Sequence, residues 1–316
     1  MVFRLTILGS SSALPTAKRY PTAHLLNANE RFFLIDCGEG TQMQLRKYKF
    51  NFSKINHIFI SHLHGDHIFG LPGLLSTMHL LGRKNDLHIY GPAALEEILK
   101  LNRGEEDYLN YFKVIFHRTG HKRKNLIYSG KNINVWSIPL KHRVETTGFL
   151  FEEKSMGLNI KKEAIELYSP GIEQIANIKN GDDLILEDGS RVDNNDLTQP
   201  PWKIRSYAYI SDTAYNPKIT NQILEVDLLF HESTFENTHE KLASLTLHST
   251  SRQAAMIAKK AKVGKLLLGH FSSRYKNLDN MLQEAKVEFE NSFIVEDGDN
   301  FEIKRIREDS IDGFSD

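Results

Sequence analysis

Seven residues, Ser-His-Leu-His-Gly-Asp-His at 61–67, constrain this 316-residue chain more than any other stretch. They follow Ile58, Phe59 and Ile60, an apolar run of the kind that forms a buried strand. On a helix, residues two apart point to nearly opposite sides, so His62 and His64 would diverge. On an extended segment leaving a strand they share a face. Gly65 is expected to let the backbone turn, bringing Asp66 and His67 round to a neighbouring ion. One short segment can then supply ligands for two cations about 3.5–4 Å apart.

A catalytic zinc-like ion takes about four ligands with one position left for water, so this segment cannot complete a two-metal site alone. The remaining ligands are sought at strand ends that carry His or Asp: His142 after VWSIPLK, Asp212 after SYAYIS and His270 after KLLLG. Asp212 is the natural shared ligand, because a carboxylate can offer one oxygen to each of two cations.

Short apolar runs bounded by Gly, Pro, Asn and Asp predict strands at FRLTILG, RFFLIDCG, HIFIS, LHIYG, FKVIFH, INVWSIPL and GFLFEE, then at SYAYISD, DLLFHE, KLLLGH and SFIVED. Helical patterns fall at 71–81, PAALEEILKLN, SRQAAMIAKKAK and LDNMLQEAKVEFE, with Thr250 and Gln253 forming a capping box. The order predicts an α/β protein whose halves each supply a sheet and helices. Between Phe151 and Pro201 the apolar runs thin out among Gly, Pro, Asn and Asp, which reads as an inserted arm.

A chain with 40% hydrophobic and 25% charged residues reads as soluble and globular. The apolar stretch near the N-terminus is too short for a secretory signal or a membrane span, so a cytoplasmic protein without membrane attachment is expected. The single cysteine, Cys37, excludes an intramolecular disulfide and reads as a core thiol. Forty basic residues balance forty acidic ones, yet 113–143 contains eight Lys and Arg and no acid, a candidate phosphate-facing surface or an ordinary solvated hairpin. The tail, 307–316, is polar and mostly acidic and is expected to be disordered.

HLHGDH with a lone His, a strand-end Asp and a strand-end His resembles the metallo-β-lactamase superfamily. The Gly-Ser-Ser loop followed by PTAKR, FLIDCGEGTQ, HLHGDHIFGLPGLL, YGP at 90–92, LEDG at 186–189, SDT at 211–213, HESTF at 231–235 and HST at 248–250 look like its short-form ribonuclease Z branch. The resemblance covers the chain to about residue 300. It implies a metallo-β-lactamase αββα sandwich over 1–306 with an inserted flexible arm, 151–201, that grips the tRNA elbow.

Carried over residue by residue, it implies one metal on His62, His64 and His142, another on Asp66, His67 and His270, and Asp212 between them. Asp66 is implied as proton acceptor for the attacking water, His248 as the acid that protonates the leaving oxygen, and Glu232 as its orienting partner. Such a pair of ions would activate water and neutralise phosphate charge, while a ribose 3′-oxygen needs a general acid to leave. The implied protein is a homodimeric zinc-dependent endoribonuclease with two zinc ions per subunit, or manganese or another divalent ion in their place. It removes 3′ trailers from precursor tRNA, leaving a tRNA 3′-hydroxyl and a trailer 5′-phosphate. The alternative is a phosphodiesterase for small cyclic or aryl diesters, which would need neither the arm nor the HST loop.

Two features depart from the family pattern. Residues 152–196 carry five basic against eleven acidic residues, so this arm should not attract phosphate by bulk charge. Tyr20 stands where the family's loop usually continues with asparagine, a position tied to discrimination at the RNA 3′ end.

Overall fold

The computed structural model describes residues 1–14, 16–103 and 112–307. The tail expected to be disordered lies outside the described residues from 308 onward. Two compact units are present: one spans 1–152 and 206–303, the other 153–205 with 304–307.

In the large unit the first six strands are β1 (Phe3–Gly9), β2 (Ala23–Ala28), β3 (Arg31–Ile35), β4 (Ile55–Phe59), β5 (Leu87–Gly91) and β6 (Val114–Arg118). They are followed by β7 (Asn125–Ser129), β8 (Ile133–Pro139) and β9 (Thr147–Glu153). The small unit holds β10 (Asn159–Ile160), β11 (Leu184–Ile185), β12 (Arg191–Val192) and β13 (Thr198–Gln199). The chain then returns with β14 (Ser206–Ile210), β15 (Leu228–Glu232), β16 (Lys265–Gly269), β17 (Ser292–Ile294) and β18 (Asn300–Glu302).

The strand orders are β18-β1-β2-β3-β4-β5-β6 in one sheet and β17-β16-β15-β14-β9-β8-β7 in the other. Each sheet has a parallel half, β3 to β6 and β14 to β17, whose strands finish at a common edge. Ligand sites on open α/β sheets lie beyond such carboxyl ends. Asp36 and His62 follow β3 and β4, Glu232 closes β15, and Asp212 and His270 follow β14 and β16.

Between the sheets lies an apolar layer dominated by Phe33, Phe59, Phe149, Phe151, Tyr207, Tyr209 and Phe230, all buried. Each such side chain contributes roughly 1.5–3 kcal/mol on leaving water, which is why both sheets read as nearly continuous apolar strands. Helices α1 (Thr41–Lys47), α2 (Gly65–Ile68), α3 (Leu71–Leu80) and α4 (Ala93–Arg103) follow strands of the first sheet, and Leu45, Leu74 and Leu95 pack on its outer face. The capping box at Thr250 and Gln253 is present and opens the helix Ser251–Lys260, as the spacing predicts.

The small unit carries α5 (Lys162–Tyr168), α6 (Ile172–Asn180) and α7 (Asn194–Leu197). The segment that reads as an inserted arm has a core of its own in Ala164, Ile178, Leu184 and Leu197. Asn194 Nδ2 donates to the carbonyls of Ile178 (2.8 Å) and Asp182 (2.7 Å), tying α6 to α7. Glu153 and Arg205 close its stem with two buried charge-assisted bonds of 2.8 Å. In the large unit, α8 (Glu240–Thr246), α9 (Ser251–Lys260) and α10 (Asp279–Glu288) complete the chain, with Ala254, Ile257, Met281 and Ala285 packed on the second sheet's outer face. The layers are therefore αββα.

Candidate active site

Three residues just past strand ends have left-handed backbone: Asp36 (φ 56), Asp212 (φ 47) and His270 (φ 59). Non-glycine residues pay for this conformation, and here it redirects the chain at the carboxyl edges of β3, β14 and β16. His64 is extended (φ −68, ψ 147), so it shares a face with His62 as the alternation predicts. Gly65 works differently from the expectation. It is the first residue of α2 and has no left-handed backbone; a Cβ there would come within 2.2 Å of the Phe69 ring. Asp66 and His67 reach the site from the single turn of α2.

The side chains converge in two quartets. In the first, His62 Nε2 lies 2.9 Å from His64 Nδ1 and 3.5 Å from Asp212 Oδ2, while His142 Nε2 lies 3.4 Å from His64 Nδ1 and 3.7 Å from Asp212 Oδ2. In the second, His67 Nε2 is 3.3 Å from Asp66 Oδ2, 3.2 Å from Asp212 Oδ1 and 3.4 Å from His270 Nε2. His270 Nε2 is in turn 3.3 Å from Asp66 Oδ2 and 3.1 Å from Asp212 Oδ1. A tetrahedral ion bound at about 2.0–2.1 Å sets its ligands about 3.3–3.4 Å apart, so these distances fit the edges of coordination shells. Asp212 gives one oxygen to each quartet, and the chemistry suits divalent metal.

Electrostatics points the same way. Burial keeps His62 neutral, lowered to about 4, and lowers His64 and His142, leaving nitrogen lone pairs available. Burial also opposes charge on His67, but Asp66, Asp212 and Asp36 around it raise it well above the ordinary value. For Asp212, burial is overridden by His270, His67 and His62, which hold it well below the usual carboxylate range. Buried carboxylates crowded in this way call for cations.

Outer partners fix the rings. His67 Nδ1 donates to Asp36 Oδ2 at 2.7 Å and His142 Nδ1 donates to the Leu247 carbonyl at 2.9 Å. His62 Nδ1 lies 3.0 Å from Ser61 Oγ, and His270 Nδ1 lies 2.9 Å from Thr234 Oγ1. Asp36 is wholly buried and also accepts from Ser61 N (2.7 Å), Ser61 Oγ (2.8 Å) and Tyr209 OH (2.5 Å), the last reaching across from the other sheet. Such partners set tautomer and ring direction. Sequence reasoning assigns no role to Asp36, Ser61, Thr234 or Tyr209; only the strand-end placement of Asp36 in LIDCGEG offers a signal.

His248 stands beside both quartets, its ring centroid 5.0 Å from that of His142 and 5.5 Å from that of His270. Its Nδ1 is 2.9 Å from Glu232 Oε1. His231 is turned away, donating to the Glu232 carbonyl at 2.7 Å. Cys37 is buried and its thiol is pushed up to about 12 by burial, in keeping with a core thiol. An open cleft of about 620 Å³ lies over the quartets, with Ser12, Phe69, Arg143 and Phe235 among its lining residues.

Two facing sheets with a histidine-aspartate cleft at their carboxyl ends define a protein of the metallo-β-lactamase fold. The Bacillus subtilis metallo-beta-lactamase fold protein YhfI superposes with a TM-score of 0.69 over 96% of this chain and all of that one, at 21% identity. The short form of human tRNase Z gives the same TM-score, 0.69, over 95% of this chain and 99% of that one at 25% identity. Ribonuclease Z of Bacteroides thetaiotaomicron is 46% identical over 91% of both chains. The chain belongs to the ribonuclease Z family. A family model described as anti-Pycsar protein Apyc1 also matches residues 3–180, a span that stops short of Asp212, Glu232, His248 and His270.

Proposed function

We propose that this chain is the endoribonuclease that removes 3′ trailers from precursor tRNA, leaving a tRNA 3′-hydroxyl and a trailer 5′-phosphate. Membership of the ribonuclease Z family at 46% identity supports it, and small cyclic or aryl diesters are the less favoured substrates. The observation that carries the reading is the position of Asp212, with one carboxylate oxygen in each ligand quartet. His62, His64 and His142 would hold one zinc ion, Asp66, His67 and His270 the other, and Asp212 both. Manganese suits the same donors. Bound cations would supply an acidic water and neutralise phosphate charge.

The chain's own groups do the rest. Asp66 accepts the proton of the attacking water. His248, held protonated by Glu232, donates to the departing ribose 3′-oxygen. Asp36, Ser61, Thr234 and the Leu247 carbonyl keep the ring nitrogens aimed. The small unit, 153–205 with 304–307, serves as the tRNA exosite, and the enzyme works as a cytoplasmic homodimer.

The test is incubation of the metal-loaded protein with precursor tRNAs carrying a 3′ trailer, with mapping of the new ends. A cut just after the discriminator base, leaving 3′-hydroxyl and 5′-phosphate and lost in Asp212→Ala, is expected. Hydrolysis of aryl diesters without any cut in RNA would overturn the substrate assignment.

A further inference from the structure

The eight cations between Lys113 and Arg143 do not form one surface, because the strands they flank run from edge to edge of their sheets. Strand β6 is parallel to β4 and β5, so Arg118 at its end leaves from the same edge as His62. Strand β8 runs toward His142, and its antiparallel partner β7 begins at that same end, with Asn125 opposite Ser137. The connection 119–124 therefore joins two strand termini at the cleft edge. Lys113, before β6, and Lys131, in the β7–β8 turn, sit at the opposite edges. A direct contact ties this connection to the site: His121 Nδ1 is 3.2 Å from Glu145 Oε1, three residues beyond His142. Thr119 N also donates to the Gly91 carbonyl at 2.9 Å, fixing the start of the loop.

Two of the eight are already engaged. Arg118 pairs with Glu96 at 3.3 Å, and Lys124 donates to the Gln222 carbonyl at 3.0 Å while lying over the Trp136 ring. Lys122, Arg123, Lys141 and Arg143 are exposed and have no ion-pair partner among the described residues, and Arg143 lines the cleft. In a chain of zero net charge, four unneutralised cations on two linked loops at one rim form a local positive field.

We propose that the rim formed by 120–124 and 141–143 holds the sugar-phosphate backbone of the RNA strand beside the scissile bond, and that Lys113 and Lys131 take no part. The proposal rests on the reading of the chain as an RNA endonuclease and identifies where that substrate is gripped. Contacts of this kind position the strand and carry no sequence information.

The experiment is steady-state cleavage of precursor tRNA across a salt series by two charge-reversed pairs. Lys122→Glu with Arg123→Glu raises KM about tenfold and flattens the dependence of log KM on log salt by about 1.5, the loss of two phosphate contacts. Lys113→Glu with Lys131→Glu makes the same change in net charge and leaves KM within about twofold. Lys122→Arg with Arg123→Lys retains the parental KM, and melting curves check that each variant is folded. Equal rises in both acidic pairs would reduce the effect to bulk charge and overturn the rim, as would an unchanged KM in the first pair. Failure of the parent enzyme to cut any precursor tRNA would sink the underlying reading and the rim with it, and is visible before any variant is compared.

Discussion

His248 Nδ1 lies 2.9 Å from Glu232 Oε1, and Glu232 is wholly buried with both oxygens engaged. Oε1 also accepts from Thr213 N at 3.0 Å, and Oε2 accepts from Thr234 N at 3.1 Å and Thr234 Oγ1 at 2.7 Å. The same Thr234 hydroxyl meets His270 Nδ1 at 2.9 Å. One carboxylate thus holds His248 directly and a member of the second quartet, His270, through a single hydroxyl.

If His248 protonates the leaving oxygen, its value depends on the leaving group. We expect His248→Ala to lower kcat for precursor tRNA by about 10²–10⁴, the usual worth of a general acid. An aryl diester, whose phenolate leaves without a proton, should lose less than about tenfold. Equal losses on both substrates would remove the acid role and leave His248 as a structural contact.

The pH profile tests the same pair. Burial works against charge on His248, but Glu232 overrides it and pushes the imidazole up to about 9. A raised value means that the protonated form persists through neutral pH and is lost as pH rises through about 9. The alkaline limb of RNA cleavage should lie there. In Glu232→Gln the raising charge is gone and burial remains, so the limb should move down to the ordinary histidine value or below. Identical limbs in parent and variant would assign the proton to another group.

Asp36 should matter through the metal. It accepts four hydrogen bonds, among them that of His67 Nδ1 at 2.7 Å, without itself facing the cleft. We expect Asp36→Asn to weaken divalent-metal affinity by about 10–100-fold, read by competition with a chelator, because the amide cannot accept from every donor that meets it. Tyr209→Phe removes one of those bonds and should cost much less. Undiminished affinity in Asp36→Asn would mean that the ring of His67 is held by packing alone.

What could be read from the sequence depended on distance along the chain. His62 and His64 declare themselves because extended geometry alone decides that they share a face. Asp36 does not, since its partners Ser61, His67 and Tyr209 are set by strand pairing and by a bond across the sandwich. Strand β18 is absent from the strands that the apolar runs predict, and it pairs with β1 through Arg4 and Glu302, almost the whole chain apart. In the small unit, Ala164, Ile178, Leu184 and Leu197 are too widely spaced to form a run, although together they form a core. Arg305 and Arg307 likewise join that unit from far along the chain, 5.6 and 5.2 Å from the Trp202 ring.

The small unit offers the last test. Its two ends meet at Glu153 and Arg205, whose backbones are joined by a 2.9 Å bond from Glu153 N to the Arg205 carbonyl, so 154–204 can be replaced by a short Gly-Ser joint. If the unit is the exosite, its contacts are made equally with the bound substrate and with the transition state. Removing such contacts raises KM and leaves kcat alone. We expect KM for precursor tRNA to rise by roughly tenfold or more, with kcat at saturation within about threefold of the parent. A fall in kcat with KM unchanged would mean that the unit supports the catalytic geometry and that the tRNA body is held elsewhere.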